Sequence, residues 1–133
     1  MPDGFGTSEE TSEMDLHNNF SKALYQGNKA YIREVLDKYS LAHITLLPEN
    51  KFVYRDKAYE IKDMKMLVTL LNTNDIVLVR FDTKLDYGSY IKFLEAHKNF
   101  VGSEHYNREK SGIVIEVSYG LEKKIKEWDL RLF

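Results

Sequence analysis

At 133 residues the chain has the length of one domain, and its 43% hydrophobic content can supply a core without covalent staples. The absence of cysteine removes disulfides, thiolate catalysis and Cys-based zinc sites together. A net charge of -2, with Lys and Arg interspersed among Asp and Glu, speaks against a nucleic-acid face. No run approaches the roughly 20 apolar residues that span a bilayer, so the chain reads as soluble.

Residues 1–14 are rich in Gly, Ser, Thr and Glu and carry only acidic charge, which predicts a flexible leader. From Asp15 the pattern turns helical, with Leu16, Phe20, Ala23 and Leu24 on one face. Gly27 suits the residue after a helix end, because it accepts a positive φ without a Cβ clash. Asn28 then reads as the N-cap of a second helix striped by Ile32, Val35, Leu36 and Tyr39. Residues 15–40 are therefore expected to form a helical pair.

The period changes at Leu41. Residues 41–47 are β-compatible and end at the turn cluster Pro48-Glu49-Asn50. Residues 51–54 and 58–60 read as short strands around Arg55-Asp56-Lys57, completing a small meander. Residues 61–72 return to helical spacing through Ile61, Met64, Leu67, Val68 and Leu71. Residues 75–82 hold four consecutive aliphatics, the mark of a strand covered on both faces. A helix follows over 87–99, with Tyr87, Tyr90, Ile91 and Leu94 expected inward. Residues 102–112 form a polar loop, 113–119 alternate as a strand, and 120–133 are an amphipathic extension with Leu121, Ile125 and Trp128, closing on a β-like end.

The order β-β-β-α-β-α-β over residues 41–119 predicts an α+β domain: a mixed β-sheet with two helices packed on one face, preceded by the N-terminal helical pair. There are no internal repeats.

One stretch carries a resemblance. Ile44 to Leu47, Phe52 to Tyr59, Met64 to Leu71 and Ile76 to Asp82 follow one another as strand, turn and short strand pair, leucine-paired helix, and strand ending in Asp. Asp82-Thr83-Lys84-Leu85-Asp86-Tyr87 then leads into a helix with the apolar pairs Tyr90-Ile91 and Phe93-Leu94. In this order, from about Ile44 to Phe100, the chain resembles the periplasmic domain of the ExbD/TolR family, small subunits of proton-driven biopolymer-transport motors of the inner membrane. Asp82, Leu85 and Tyr87 are the most specific part of the match. The resemblance implies a non-catalytic domain that transmits motion driven by the proton motive force. It also implies a homodimer, an ExbB/TolQ-like membrane subunit, and a TonB-like or TolA-like transducer or the cell wall as contact. The family's transmembrane helix and its membrane-embedded Asp have no counterpart here, so the energy-coupling residue falls on no position of this chain. The helical pair and the 120–133 extension also exceed the family pattern.

Read for themselves, Asp82 suits a turn after a buried strand or a share in capping the helix that starts near Tyr87, whose ring is expected on the sheet. Asp82 and Asp86 are the best pair for carboxylate chemistry, although turn and cap roles account for both. Ser89, near a helix start, reads as a surface or first-turn residue outside any Gly-x-Ser-x-Gly elbow. His17 suits a solvated helix face, and His43 a hydrogen-bonded position in or beside the core. His97 and His105, eight apart across a helix end, fit no metal template. No cofactor or metal site is expected, and no phosphate-cradling glycine loop is present.

Nine tyrosines are more than core stripes need. Tyr54 and Tyr59, on the edge of the meander, are candidates for binding a partner strand, with core filling as the alternative. Two readings follow. The first is a periplasmic coupling domain of an ExbD/TolR-like subunit. The second is a free-standing cytoplasmic adaptor or small-ligand-binding domain. An enzyme is not expected.

Overall fold

The computed structural model describes residues 8–128, 132 and 133, with side chains from Leu16 onward. It contains α1 (Ser8–Gln26), α2 (Lys29–Lys38), β1 (Leu41–Leu47), β2 (Lys51–Tyr54), β3 (Lys57–Glu60), α3 (Met64–Thr73), β4 (Ile76–Phe81), α4 (Tyr87–Val101), β5 (Ile113–Glu116) and α5 (Tyr119–Glu127). The chain is α+β, as its sequence predicts.

The break between α1 and α2 forms as the residues dictate. Gly27 takes a φ of 71°, and the Asn28 side chain accepts from the Tyr31 N–H at 3.2 Å, satisfying one orphan donor of α2. Upstream, α1 begins at Ser8, so the leader expected over residues 1–14 is helical from Ser8. Glu and Met are good helix formers, and a composition too polar for an independent core can still extend a helix that is anchored further on. The earlier part of that leader lies outside the described residues.

The five strands form one sheet in the order β3-β2-β1-β4-β5. The meander β1-β2-β3 is antiparallel, and β1, β4 and β5 run parallel. Parallel neighbours require crossovers, which α3 and α4 supply. Both lie on one face over Ile44, Leu46, Phe52, Val77 and Val79, contributing Leu67, Leu70, Leu71, Phe93, Ala96 and Phe100 to that core. In α4 the expected inward stripe is displaced. Phe93, Ala96 and Phe100 are buried, Tyr90, Ile91 and Leu94 are half-buried, and Tyr87 is 76% exposed. Asp86, at the N-cap, sets the rotation of the helix and turns its first residue outward.

The other face has a second core. Ile76, Leu78, Ile115 and Val117 meet Phe20, Ala23 and Leu24 of α1, Ile32 and Val35 of α2, and Leu121 and Ile125 of α5, with Leu132 alongside. Helices from both ends of the chain, α1 and α2 on one side and α5 on the other, thus pack together on one sheet face. Ile76 to Val79 are fully buried because both faces of β4 are covered, and each such aliphatic contributes about 1.5–3 kcal/mol by burial. The β-like end expected after residue 128 lies partly outside the described residues; Leu132 is buried and Phe133 half-buried.

Candidate interaction surface

The Asp82–Tyr87 element lies at the carboxyl end of β4. The Asp82 N–H donates to the Leu46 carbonyl at 2.9 Å, extending the β1–β4 pairing by one bond. Its Oδ2 accepts from the Lys84 N–H at 2.9 Å, closing an Asx turn. Its carbonyl accepts from the Leu85 N–H and from the Tyr119 hydroxyl at 2.6 Å. The cap of α4 is Asp86 rather than Asp82: Asp86 Oδ2 accepts from the Ser89 N–H at 2.9 Å.

Of the two roles expected for Ser89 the first-turn one holds: it lies three residues after the Asp86 cap and is buried rather than on the surface. Its hydroxyl donates to Asp86 Oδ1 and accepts from the Asn50 N–H, each at 2.8 Å. This one hydroxyl joins the β1–β2 turn to the start of α4. The Asp86 carboxyl is held below its usual range, first by the Ser89 hydroxyl and then by the Ser89 N–H, with the Glu49 N–H adding to the effect. Asp82 and Asp86 are therefore committed to turn and cap geometry.

Three aromatic rings gather at the same end. Phe81 meets Tyr90 edge-on at 5.8 Å and Tyr119 at 6.5 Å between ring centroids. The Tyr90 hydroxyl donates to the Glu116 carboxylate at 2.9 Å. Its phenol is held above the ordinary range, chiefly by burial and then by Glu116. Tyr87 stands one turn before Tyr90 on α4. This grouping has no sequence signal, because it assembles residues of β4, α4 and α5 that are far apart in the chain.

At the opposite edge of the sheet, β2 and β3 join through Arg55 and Asp56, both at positive φ, the two-residue turn that suits hairpin twist. Phe52 pairs with Tyr59 and Tyr54 with Lys57. In that register the Ala58 N–H and C=O point away from β2, toward the edge. Tyr59 stacks on Phe52 at 5.5 Å, and both Tyr54 and Tyr59 pack partly against the α3/α4 core. Arg55 covers the Tyr54 ring and Lys57 the Tyr59 ring. The two tyrosines are thus half core and half surface, on the helix-covered side of the edge strand. On the other side, among the described residues, Leu41 is the apolar β1 residue that packs against the second core. Thr45, Leu47 and Val53 lie half-buried and Ala58 exposed; Leu47 and Val53 belong to neither core.

On the same face of the sheet as the second core, Arg80 donates to Glu122 Oε2 at 2.9 Å and lies 4.4 Å from the Phe133 ring centroid. Its buried Nε has no hydrogen-bond partner among the described residues. That bond is the main reason the Glu122 carboxyl is held low. His43 packs edge-on against Phe133 at 5.5 Å, a ring contact in place of the expected hydrogen bond. Burial, then Arg80, lowers its pKa. His97 is lowered by burial alone, His105 is exposed, and His17 is half-buried rather than fully solvated. Among the described residues no three His, Asp or Glu side chains are grouped to hold a metal, and no helix is long and apolar enough to cross a membrane. A shallow cleft of about 450 Å³ opens between the β1–β2 turn, α3 and α4, with Ile61, Met64 and Ala96 in its apolar part and Glu60, Lys62 and Lys92 around them.

Scans of the chain against protein-family models, curated proteins and solved structures found no match.

Proposed function

We propose that this chain is a non-catalytic interaction domain that works by offering the β3 edge and the half-buried sheet residues beside it to protein partners. The observation that carries the reading is the pairing of an edge strand whose Ala58 peptide faces outward with the neighbouring half-buried Leu47 and Val53, which belong to neither core cluster. An edge of this kind can accept a further strand through main-chain bonds, with the sheet face supplying side-chain contact. The carboxylates best placed for chemistry, Asp82 and Asp86, are engaged in a turn and a cap.

The finer reading follows from the order of elements and the Asp82–Tyr87 stretch. It is a coupling domain similar to the periplasmic part of ExbD/TolR subunits, dimeric, and in contact with an ExbB/TolQ-like membrane subunit and a TonB-like or TolA-like transducer. Ala58→Pro tests it, since proline deletes an edge N–H that β2 does not use. Sedimentation of the wild-type chain at high micromolar concentration should show a dimer that the variant loses without unfolding. Isotope-labelled chain titrated with the periplasmic part of a transducer from the same source should shift resonances of Val53, Ala58 and Tyr59. A monomer at every concentration, with no shifts on adding transducer, refutes the reading.

The cleft supports a second reading, a small-ligand-binding or adaptor domain. It predicts thermal stabilisation by a small polar ligand, lost on Lys92→Ala.

A further inference from the structure

The aromatic grouping beyond the carboxyl ends of β4 and β5 does not belong to the edge surface just described. It deepens the same reading, that the chain is an interaction domain, by naming what a partner must bring. Tyr87 is 76% and Tyr119 53% exposed, though both begin helices whose later residues are buried. Their positions are fixed from below. Phe81 braces Tyr90 on one side and Tyr119 on the other, and the Tyr119 hydroxyl is held by the Asp82 carbonyl. The Tyr90 hydroxyl is held by Glu116. With the hydroxyls of Tyr90 and Tyr119 already bonded inward, what these two tyrosines offer a partner is ring surface. A phenol that donates to a carboxylate carries a more electron-rich ring, which strengthens attraction for a cation over its face.

The charges around the grouping have the matching sign. Glu116 is exposed and lies against Tyr90, and Asp82 and Asp86 both precede Tyr87 in sequence. Lys84 is the cation within that turn, and it is exposed. The amino ends of α4 and α5 also open here, and helix amino ends favour anions. At α4 the Asp86 carboxylate occupies that position, and at α5 the Ser118 hydroxyl accepts from the Leu121 N–H. Glu122, in the first turn of α5, is bonded to Arg80 on the other face of the sheet. Lys123, one turn along α5 from Tyr119, is a second exposed cation, and Glu116 is the carboxylate that lies directly against a ring of the group.

We infer that Tyr87, Tyr90, Tyr119 and Glu116 form a docking site for an arginine- or lysine-bearing segment of a protein partner. The cationic group lies over the exposed rings and meets the Glu116 carboxylate. Arginine suits the site best, since its planar guanidinium both stacks on a ring and forks onto a carboxylate.

The test is a solution titration of the full chain with the peptide acetyl-Gly-Ser-Arg-Ser-Gly-amide, and with the same peptide carrying citrulline, which keeps the shape and removes the charge. The arginine peptide should shift the ring resonances of Tyr87, Tyr90 and Tyr119 saturably at millimolar concentration, and its side-chain methylenes should show contacts to those rings. Citrulline should not. Tyr87→Leu should weaken binding about two- to fivefold, as expected for one exposed cation–π contact, while Tyr87→Phe keeps it. Glu116→Gln should weaken it as well and reduce its dependence on salt. Tyr87 and Glu116 are exposed, so neither change threatens the fold, and an unchanged melting temperature verifies that. Equal binding of the citrulline peptide, shifts confined to other residues, or no shifts at all overturns the proposal. Should a transducer still bind through the β3 edge while the arginine peptide fails, the docking site falls and the interaction-domain reading stands.

Discussion

Replacing Ser89 with alanine isolates one buried hydroxyl that holds two parts of the molecule together. The methyl group fits the space, so packing is nearly unchanged, but the Asn50 N–H loses its acceptor at 2.8 Å and Asp86 loses a donor at 2.8 Å. An amide N–H left unsatisfied in a part-buried site costs about 1–3 kcal/mol, and 2 is a fair central value. Unfolding entropy near 2.1 cal/mol/K per residue gives about 0.3 kcal/mol/K for this length, so the melting temperature should fall by about 7 °C. The loss should also depend on pH. The Asp86 carboxyl is held low in the folded state, first by the Ser89 hydroxyl, so its contribution is present above the ordinary value of 3.8 and is lost as the pH falls through the lowered one. Without the hydroxyl, less remains to be lost in acid, and the gap between wild type and variant should narrow below pH 3.8. Thermal melts followed by circular dichroism at pH 7 and at pH 3 measure both effects. A drop under about 2 °C at neutral pH, or a gap that widens in acid, would refute this account of the hairpin–helix junction.

Three further outcomes are expected. Phe93→Ala, in the core beneath α4, should cost about 3–5 kcal/mol by chemical denaturation, because a buried ring leaves a cavity that the sheet cannot close. Gly112→Ala should destabilise strongly: a Cβ there would run into the Asn74 carbonyl, so the β5 entry must shift, visible as altered exchange of the Ile113 amide, which bonds to Asp75. His43 and His97 are both held below the ordinary 6.5, so each contributes stability that is full above that value and declines as the pH drops through the lowered one. The double change His43→Gln and His97→Gln should flatten the fall of melting temperature between pH 7 and pH 5, and an unchanged slope would show that other groups set it.

What the sequence by itself determined here is local. Gly27 and Asn28 break the N-terminal helices because a positive φ and an N-cap oxygen need only their nearest neighbours. Ile76 to Val79 declare a strand covered on both faces because no polar residue interrupts them. The order β-β-β-α-β-α-β was legible from changes of period, and with it two helices on one face, since both crossovers return to parallel strands. Tertiary structure decided what periodicity leaves open, namely which apolar stripe meets which. The stripes of α1, α2 and α5 are evident in the residues, yet nothing local says that they share one face of the sheet. The rotation of α4 was likewise hidden. Leu94 and Phe93 both suit an inward stripe, and the Asp86 cap, joined through Ser89 to the Asn50 backbone, settled the angle that buries Ser89 and Phe93 and turns Tyr87 outward. The aromatic end of the sheet could not be read ahead for the same reason: Phe81, Tyr90, Glu116 and Tyr119 become neighbours only when parallel strands bring their carboxyl ends together.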